Sequence, residues 1–461
     1  MLHRLPDAAS TRSVQARLLD TLWPRAPLIE GASQRFGKTL RLVAGFLILA
    51  SPLHSQSTQE ETLSGPDSHE IFHGPHAHLF GEWGGERPHL VERGIRFDFQ
   101  YITDTLWNVK SEQPERVASW NRVRGTVDVD FGALSGKPGL YFHATALWQA
   151  GGNLRTYLGL LTSPSGLSSA PTFRLDSWWL EKRWLDERLT ARIGQFAGQD
   201  FYGAQHFAVS FIFEPMGYAL GNLFTDFESF NPPSTPAAEV RAAPLQHLYV
   251  KSMVEAEDRD PFAHNPTGLV PQFRGVPVSI SEIGFTPGQK ASSVRAFDSV
   301  EKRKGYSGLY QFGASYNPGR FMSQPSGQVT SANYLLYCMA SQALWRVDPR
   351  EAKGLDATFA YDWSPADLNR NNTMLTAGLR FNEPLPLRIH NTMSLGYIRN
   401  CLSQHFAPPG GPPWKPEHAL EFNTLVHVAS ILFQPVVQYY ANVGGGTQHA
   451  VVLGFRFKVE L

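Results

Sequence analysis

From residue 95 onward, apolar and polar side chains alternate with a period of two, the mark of strands with two unlike faces. In 94–101, Ile95, Phe97, Phe99 and Tyr101 share one face and Arg96, Asp98 and Gln100 the other. In 121–131, Val123, Val127, Val129 and Phe131 oppose Arg122, Arg124, Thr126, Asp128 and Asp130. In 140–148, Phe142, Ala144, Ala146 and Trp148 oppose Tyr141, His143 and Thr145. The same rhythm recurs at 189–193, 310–316, 357–363 and 375–381. It is cleanest at the end, where Val451, Leu453, Phe455, Phe457, Val459 and Leu461 oppose Gly454, Arg456, Lys458 and Glu460. Short turns at 135–139, 186–187, 317–319 and 348–349 separate some runs, and longer polar or Pro-rich loops at 151–171, 231–244, 258–276 and 406–416 separate others. The pattern predicts an all-β, up-and-down antiparallel architecture with short turns at one end and long loops at the other. There is no helical period beyond two turns and no boundary that would divide it.

Alternation alone also suits a soluble sandwich, whose apolar face turns inward. Two features favour a transmembrane barrel. Aromatic residues stand near the ends of the apolar faces (Tyr101, Trp148, Tyr316, Trp363, Phe381), where an interfacial girdle belongs. The polar faces carry Arg, Asp, Glu and Gln deep within strands, which a water-filled lumen accepts.

Composition narrows the classes. The 461 residues hold 41 Lys+Arg and 41 Asp+Glu, so the formal net charge is zero, and no basic surplus argues for a nucleic-acid partner. Two cysteines, Cys338 and Cys401, exclude a disulfide scaffold and a Cys-based zinc cluster, and are read as unpaired. No run reaches the ~18 apolar residues of a spanning helix. Near the start, the basic stretch 35–41 precedes an apolar run at 42–50 and a polar exit at 51–56, the layout of a secretory signal. The expected organisation is 1–55 targeting region, 56–88 a periplasmic or mouth-lining segment, and 89–461 barrel. The residues ahead of Arg35 read either as an over-extended start or as a long basic region.

Three motifs, in order, carry a resemblance. The first is Leu79-Phe-Gly-Glu-Trp-Gly-Gly-Glu-Arg87, running into 90–101. The second is Ser177-Trp-Trp-Leu-Glu-Lys182 with Arg188-Leu-Thr-Ala-Arg-Ile-Gly-Gln-Phe196. The third is Phe433-Gln-Pro-Val-Val-Gln-Tyr-Tyr440 with Val452-Leu-Gly-Phe-Arg-Phe457. Together they resemble the OprB family of carbohydrate-selective porins. The resemblance implies a sixteen-stranded barrel in a Gram-negative outer membrane, a pore narrowed by inward loops, and passive diffusion of sugars, with no enzymatic activity and no cofactor. Sixteen strands leave an aqueous channel, whereas eight are filled by side chains. The segment 231–305 departs from the family pattern, and the last residue is Leu461 where such barrels end in Phe. The last strand otherwise resembles the signal read by the barrel insertion machinery.

His69-Glu-Ile-Phe-His73 has the zinc-protease spacing, but Gly74-Pro75 would end its helix at once, so His69 and His73 are rejected as metal ligands. Asp128/Asp130 and Asp356/Asp362 have the look of glycosidase pairs and fit a solvated lumen wall better. The favoured lumen contacts for sugar are Arg96, Asp98, Arg122, Arg124, Asp128, Glu181, Arg192 and Trp179: opposed charges offer donors and acceptors to hydroxyls, and an indole offers a face to a pyranose ring. Trp178 and Trp179 are each open to lumen or girdle. The expected partners are permeating sugars and outer-membrane lipid, the assembly a monomer or homotrimer. A secreted β-rich glycan-binding protein or hydrolase, and a non-conducting structural barrel or adhesin, are the competing readings.

Overall fold

The computed structural model describes residues 78–203, 210–217, 234–258, 260–293, 305–385 and 390–461. The signal-like segment and His69, Glu70 and His73 lie outside the described residues. The barrel strands are β1 (Ile95–Lys110), β2 (Arg116–Asp130), β3 (Leu140–Gly151), β4 (Thr172–Trp184), β5 (Leu189–Phe196), β6 (Thr235–Leu245), β7 (Leu248–Ala256), β8 (Pro277–Phe285) and β9 (Gly308–Asn317). After a small hairpin, β10 (Phe321–Met322) and β11 (Val329–Thr330), come β12 (Asn333–Arg346), β13 (Gly354–Trp363), β14 (Asn371–Asn382), β15 (His390–Leu402), β16 (Glu417–Val428), β17 (Ile431–Ala441) and β18 (His449–Glu460). Each barrel strand is antiparallel to its chain neighbours, and β1 pairs with β18, so sixteen strands close into a barrel. Closure leaves no edge whose backbone groups would face lipid unpaired.

The phase of the alternation places the solvents. On β1, Gln100, Asp104 and Asn108 are buried while Phe99 is 39% and Trp107 42% exposed. On β2, Arg122, Arg124 and Asp128 are buried and Val123 is exposed; on β17 and β18, Phe433, Val437 and Phe455 are exposed. On these strands apolar side chains stand outward and polar ones inward, the reverse of a soluble sandwich. Outward aromatics gather near both ends: Trp148, Tyr316 and Tyr334 at one, Phe285, Tyr310, Trp345 and Phe381 at the other. No described helix is long and apolar enough to cross a membrane.

Three sequence expectations need correction. Residues 231–244 are not one loop: β6 begins at Thr235. Its run of Ala and Pro hides the alternation, because Ala is indifferent to either face, and Pro236 and Pro244 sit near the strand ends, where Pro is tolerated. The turn at 317–319 opens a longer excursion carrying the β10–β11 hairpin. The end bearing the termini also holds one long connection, 286–307, besides its tight turns. There Ala291 packs with Ala243, Tyr249 and Leu309, and its carbonyl accepts a bond from Arg241.

The first family-like motif fastens this end. Leu79 N donates to Glu460 O (2.8 Å), and Arg87 Nη2 to the Leu461 carbonyl (3.0 Å). The same guanidinium lies 4.5 Å from the centroid of Trp83. The segment before β1 therefore grips the end of β18. Both cysteines are free.

Candidate functional site

A connected row of polar and aromatic groups runs along the inner wall from β2 to β6. Asp128 Oδ1 lies 2.6 Å from His143 Nδ1, and His143 Nε2 lies 2.9 Å from the Thr145 hydroxyl. The imidazole stacks on Trp179, centroids 3.8 Å apart and planes 16° apart. The Arg192 guanidinium lies 5.1 Å from the Trp179 centroid and 4.1 Å from that of Phe201. It bonds Glu181 through Nε (3.0 Å) and Nη2 (2.6 Å), and Glu239 through Nη1 (3.4 Å). Arg183 Nε donates to the other oxygen of Glu181 (2.5 Å), and its guanidinium lies 4.0 Å from the Tyr141 centroid. Four of the residues expected from sequence, Asp128, Trp179, Glu181 and Arg192, thus meet in one network. His143, Arg183 and Glu239 were not singled out, although each lies on the polar face of its strand.

The remaining four stand on β1 and β2. Arg122 Nε donates to Gln149 (2.9 Å) and Nη2 to the Leu167 carbonyl (3.3 Å), so it holds a loop as well as lining the wall. Arg124 stands opposite Gln100, and Arg96 opposite Asp128. Arg96 and Asp98 are half-buried, towards the end that carries the termini. The suspected carboxylate pairs do unrelated work: Asp130 caps a short helix through Gly132 N (2.7 Å), and Asp356 is held by Arg346 and Asn382.

Two connections fold into the bore, and β16 secures both. In 152–171, Leu161 N and Thr162 N donate to Glu417 (3.0 and 2.7 Å). In 210–217, Ile212 N and Phe213 N each donate to Glu421 (2.8 Å), which also accepts from Asn423 (2.7 Å) and Gln438 (3.0 Å). The two segments bond each other through Gly166 N and Ile212 O (3.0 Å). Phe211 and Met216 fill a notch at Gly378 and Gly396, which pair across β14 and β15; a Cβ on Gly378 would come within 3.0 Å of both side chains, and one on Gly396 within 3.0 Å of Phe211. The first part of the same β5–β6 connection is tied to another sector: Gly198 N donates to Glu255 (2.9 Å) and Gly203 N to Glu282 (3.2 Å). Glu282 also accepts from Tyr249 and Tyr337 (2.7 Å each) and from Lys251 (3.0 Å). A bore narrowed from its wall and lined by alternating cations, anions and ring faces can sort small solutes by size and hydrogen bonding. Among the described residues no group of three or more His, Cys, Asp or Glu could hold a metal ion.

A family model described as carbohydrate-selective porin, OprB family, matches residues 115–461. The chain belongs to the OprB family of carbohydrate-selective porins. Its passage of carbohydrate is passive diffusion through the barrel. Among solved structures, this porin is similar to the high-pH structure of Pseudomonas putida OprB, with a TM-score of 0.75 and 16% identity, covering 85% of this chain and 100% of that one. The low-pH structure of Pseudomonas putida OprB matches with a TM-score of 0.54 and 16% identity, over 84% and 98%. At such identity these likenesses speak for the fold. No curated protein sequence matches the chain.

Proposed function

We propose that this porin lies in the outer membrane of a Gram-negative bacterium and passes mono- and small oligosaccharides along the Asp128–His143–Trp179–Arg192–Glu181 row. Residues 1–55 are its targeting region, 56–88 its periplasmic segment and 89–461 its barrel. The observation that carries the reading is that row itself, in a barrel whose apolar side chains face outward. Sugar hydroxyls need paired donors and acceptors, and Glu181, Arg183 and Arg192 supply both within a few ångströms. Trp179, buried and stacked on His143, gives the row its apolar surface. The contacts such a lining offers a passing sugar are individually weak, as conduction requires. Arg96, Asp98, Arg122 and Arg124 extend the mixed-sign lining on β1 and β2, favouring neutral solutes over ions of either sign.

The test is swelling of liposomes containing the purified protein, with sugars of graded size, alongside reversal potentials in a planar bilayer. Sugar entry falling with size and only weak ion selectivity are expected. Strong ion selectivity without sugar entry would count against the reading, and conductance without any solute preference would leave a general pore.

A further inference from the structure

We propose that Lys110, Arg399, His418 and His449 form a site on the outer wall of the barrel for the phosphate-bearing headgroup of an anionic lipid. The inference rests on the reading of this barrel as membrane-embedded, with the end away from the termini at the outer leaflet.

The strand register builds the site. Arg399 on β15 stands opposite His418 on β16, His418 opposite Ala441 on β17, and Ala441 opposite His449 on β18. Across the closing seam, Lys110 on β1 stands opposite Val451, two residues on from His449. The bulge between Asn108 and Lys110 turns Lys110 to the outward face that Val451 and Trp107 share. The four side chains therefore follow one rim over neighbouring strands, spanning roughly 20 Å at about 4.8 Å per strand. At the same rim elsewhere, the outward residues are Trp148, Phe173, Tyr316, Tyr334 and Trp363, with no cation among them. Among these described outward residues the cations stand in one sector.

The local bonds fit a ligand that arrives from the lipid side. Tyr397 and Tyr439 stand below the rim, and each hydroxyl lies 2.8 Å from Nδ1 of a histidine, His418 and His449 respectively. Each tyrosine ring also stacks on its histidine, at 6.0 and 5.9 Å. With the phenol donating to Nδ1, the ring proton sits on Nε2, where it can be offered to an incoming oxygen. Arg399 is exposed and forms no hydrogen bond or ion pair with a described residue, and the same holds of Lys110. The turn 111–115 brings Glu112 and Glu115 nearby, but Glu112 is engaged by Gln448 Nε2 (2.5 Å). Unpaired cations on a lipid-facing wall are costly in hydrocarbon and favourable beside headgroup phosphates. A guanidinium takes phosphate oxygens in a bidentate manner. Because the row stands above outward tyrosines and Trp107, its ligand has acyl chains to lay along the wall beneath, which a free anion lacks.

The experiment uses the full-length protein reconstituted in phosphatidylcholine vesicles doped with a lipid carrying a terminal phosphate, with retained lipid measured by mass after detergent extraction. The wild type is expected to retain the phosphorylated lipid over phosphatidylcholine. Combined Lys110→Gln, Arg399→Gln, His418→Gln and His449→Gln is expected to lower that retention by roughly tenfold or more. If the fourfold variant fails to fold, the pair Lys110→Gln and Arg399→Gln serves instead, since neither side chain has a partner to lose. Equal retention by variant and wild type, or no enrichment in the wild type, overturns the site. Displacement of the lipid by millimolar inorganic phosphate overturns the lipid assignment in favour of a free-anion site. Potassium chloride conductance and sugar entry are measured on the same samples: normal channel activity with no lipid enrichment sinks this site alone, whereas absent channel activity sinks the porin reading.

Discussion

Asp104 on the first barrel strand and Arg456 on the last meet across the closing seam, Nε to Oδ1 and Nη2 to Oδ2, both at 2.8 Å. This bidentate pair stands on the lumen side, where Asp104 also accepts the Ser165 hydroxyl of an inward loop. One ion pair thus joins barrel closure to loop placement. Arg456→Gln leaves a buried carboxylate without its charge partner and is expected to cost about 1–3 kcal/mol, read as a lower unfolding temperature in detergent with assembly retained. Asp104→Asn combined with Arg456→Gln is expected to cost less than the two single changes added together. Strict additivity would show that the pair is not coupled.

The neighbouring position should behave in the opposite sense. Phe457 stands opposite Thr103 and Phe433 on the lipid-facing side of β18. Phe457→Arg places a charge against hydrocarbon, at a cost of roughly 2–4 kcal/mol near the midplane. It is expected to abolish heat-modifiable mobility on gels, the sign of a folded barrel. Normal assembly of Phe457→Arg would mean that this side does not face lipid.

Glu421 holds 210–217 on the wall through consecutive backbone amides. Glu421→Gln offers a single acceptor oxygen, and Glu421→Ala none, so each loses hydrogen bonds to a charged group worth about 1.5–3 kcal/mol apiece. A segment freed from the wall moves within the bore that it narrows. Single-channel recordings are therefore expected to show flickering closures and closure at lower voltage, more in Glu421→Ala, while the barrel still folds. A quiet channel of unchanged conductance would show that Glu421 does not set the bore.

Arg192 and Trp179 test the sugar row. Arg192→Gln leaves Glu181 bonded to Arg183, so folding should hold. Trp179→Ala removes the face on which His143 and Arg192 lie. Both are expected to weaken sugar-induced block of potassium chloride current by several-fold, each lost contact being worth about 1 kcal/mol, with little change in unblocked current from Arg192→Gln. Unaltered block in both variants would move the sugar path elsewhere in the lumen.

The two tryptophans show where sequence reading stops. Counting by twos from the inward Arg174 would put Asp176 and Trp178 in the lumen and Trp179 in lipid. A bulge between Thr145 and Ala146 opposes these residues to Ser177 and Leu175, leaving Asp176 as the extra residue. Phase flips there, so Trp179 and Glu181 turn inward, opposite His143 and Tyr141. A one-residue insertion exchanges the faces of all that follows, and nothing in Arg174-Leu-Asp-Ser177 announces it. The Ala- and Pro-rich β6 was hidden for a different reason, since its side chains express little preference for either solvent.

By itself the sequence determined the solvent on each side of most strands. Burying polar groups against hydrocarbon is costly at every step of a strand, so Arg456 and Phe457 had to declare their faces in composition. It also determined, through three ordered motifs, the family and hence the sixteen-strand closure. Only the tertiary structure decided which lumen groups touch. Asp104 and Arg456 lie at opposite ends of the barrel chain, and Glu421 meets Ile212 across the bore. Such pairings depend on strand register, on bulges and on the path of loops through a water-filled space. Many polar residues are equally soluble there, so alternation could specify that a charge faces the lumen but not which partner it would find.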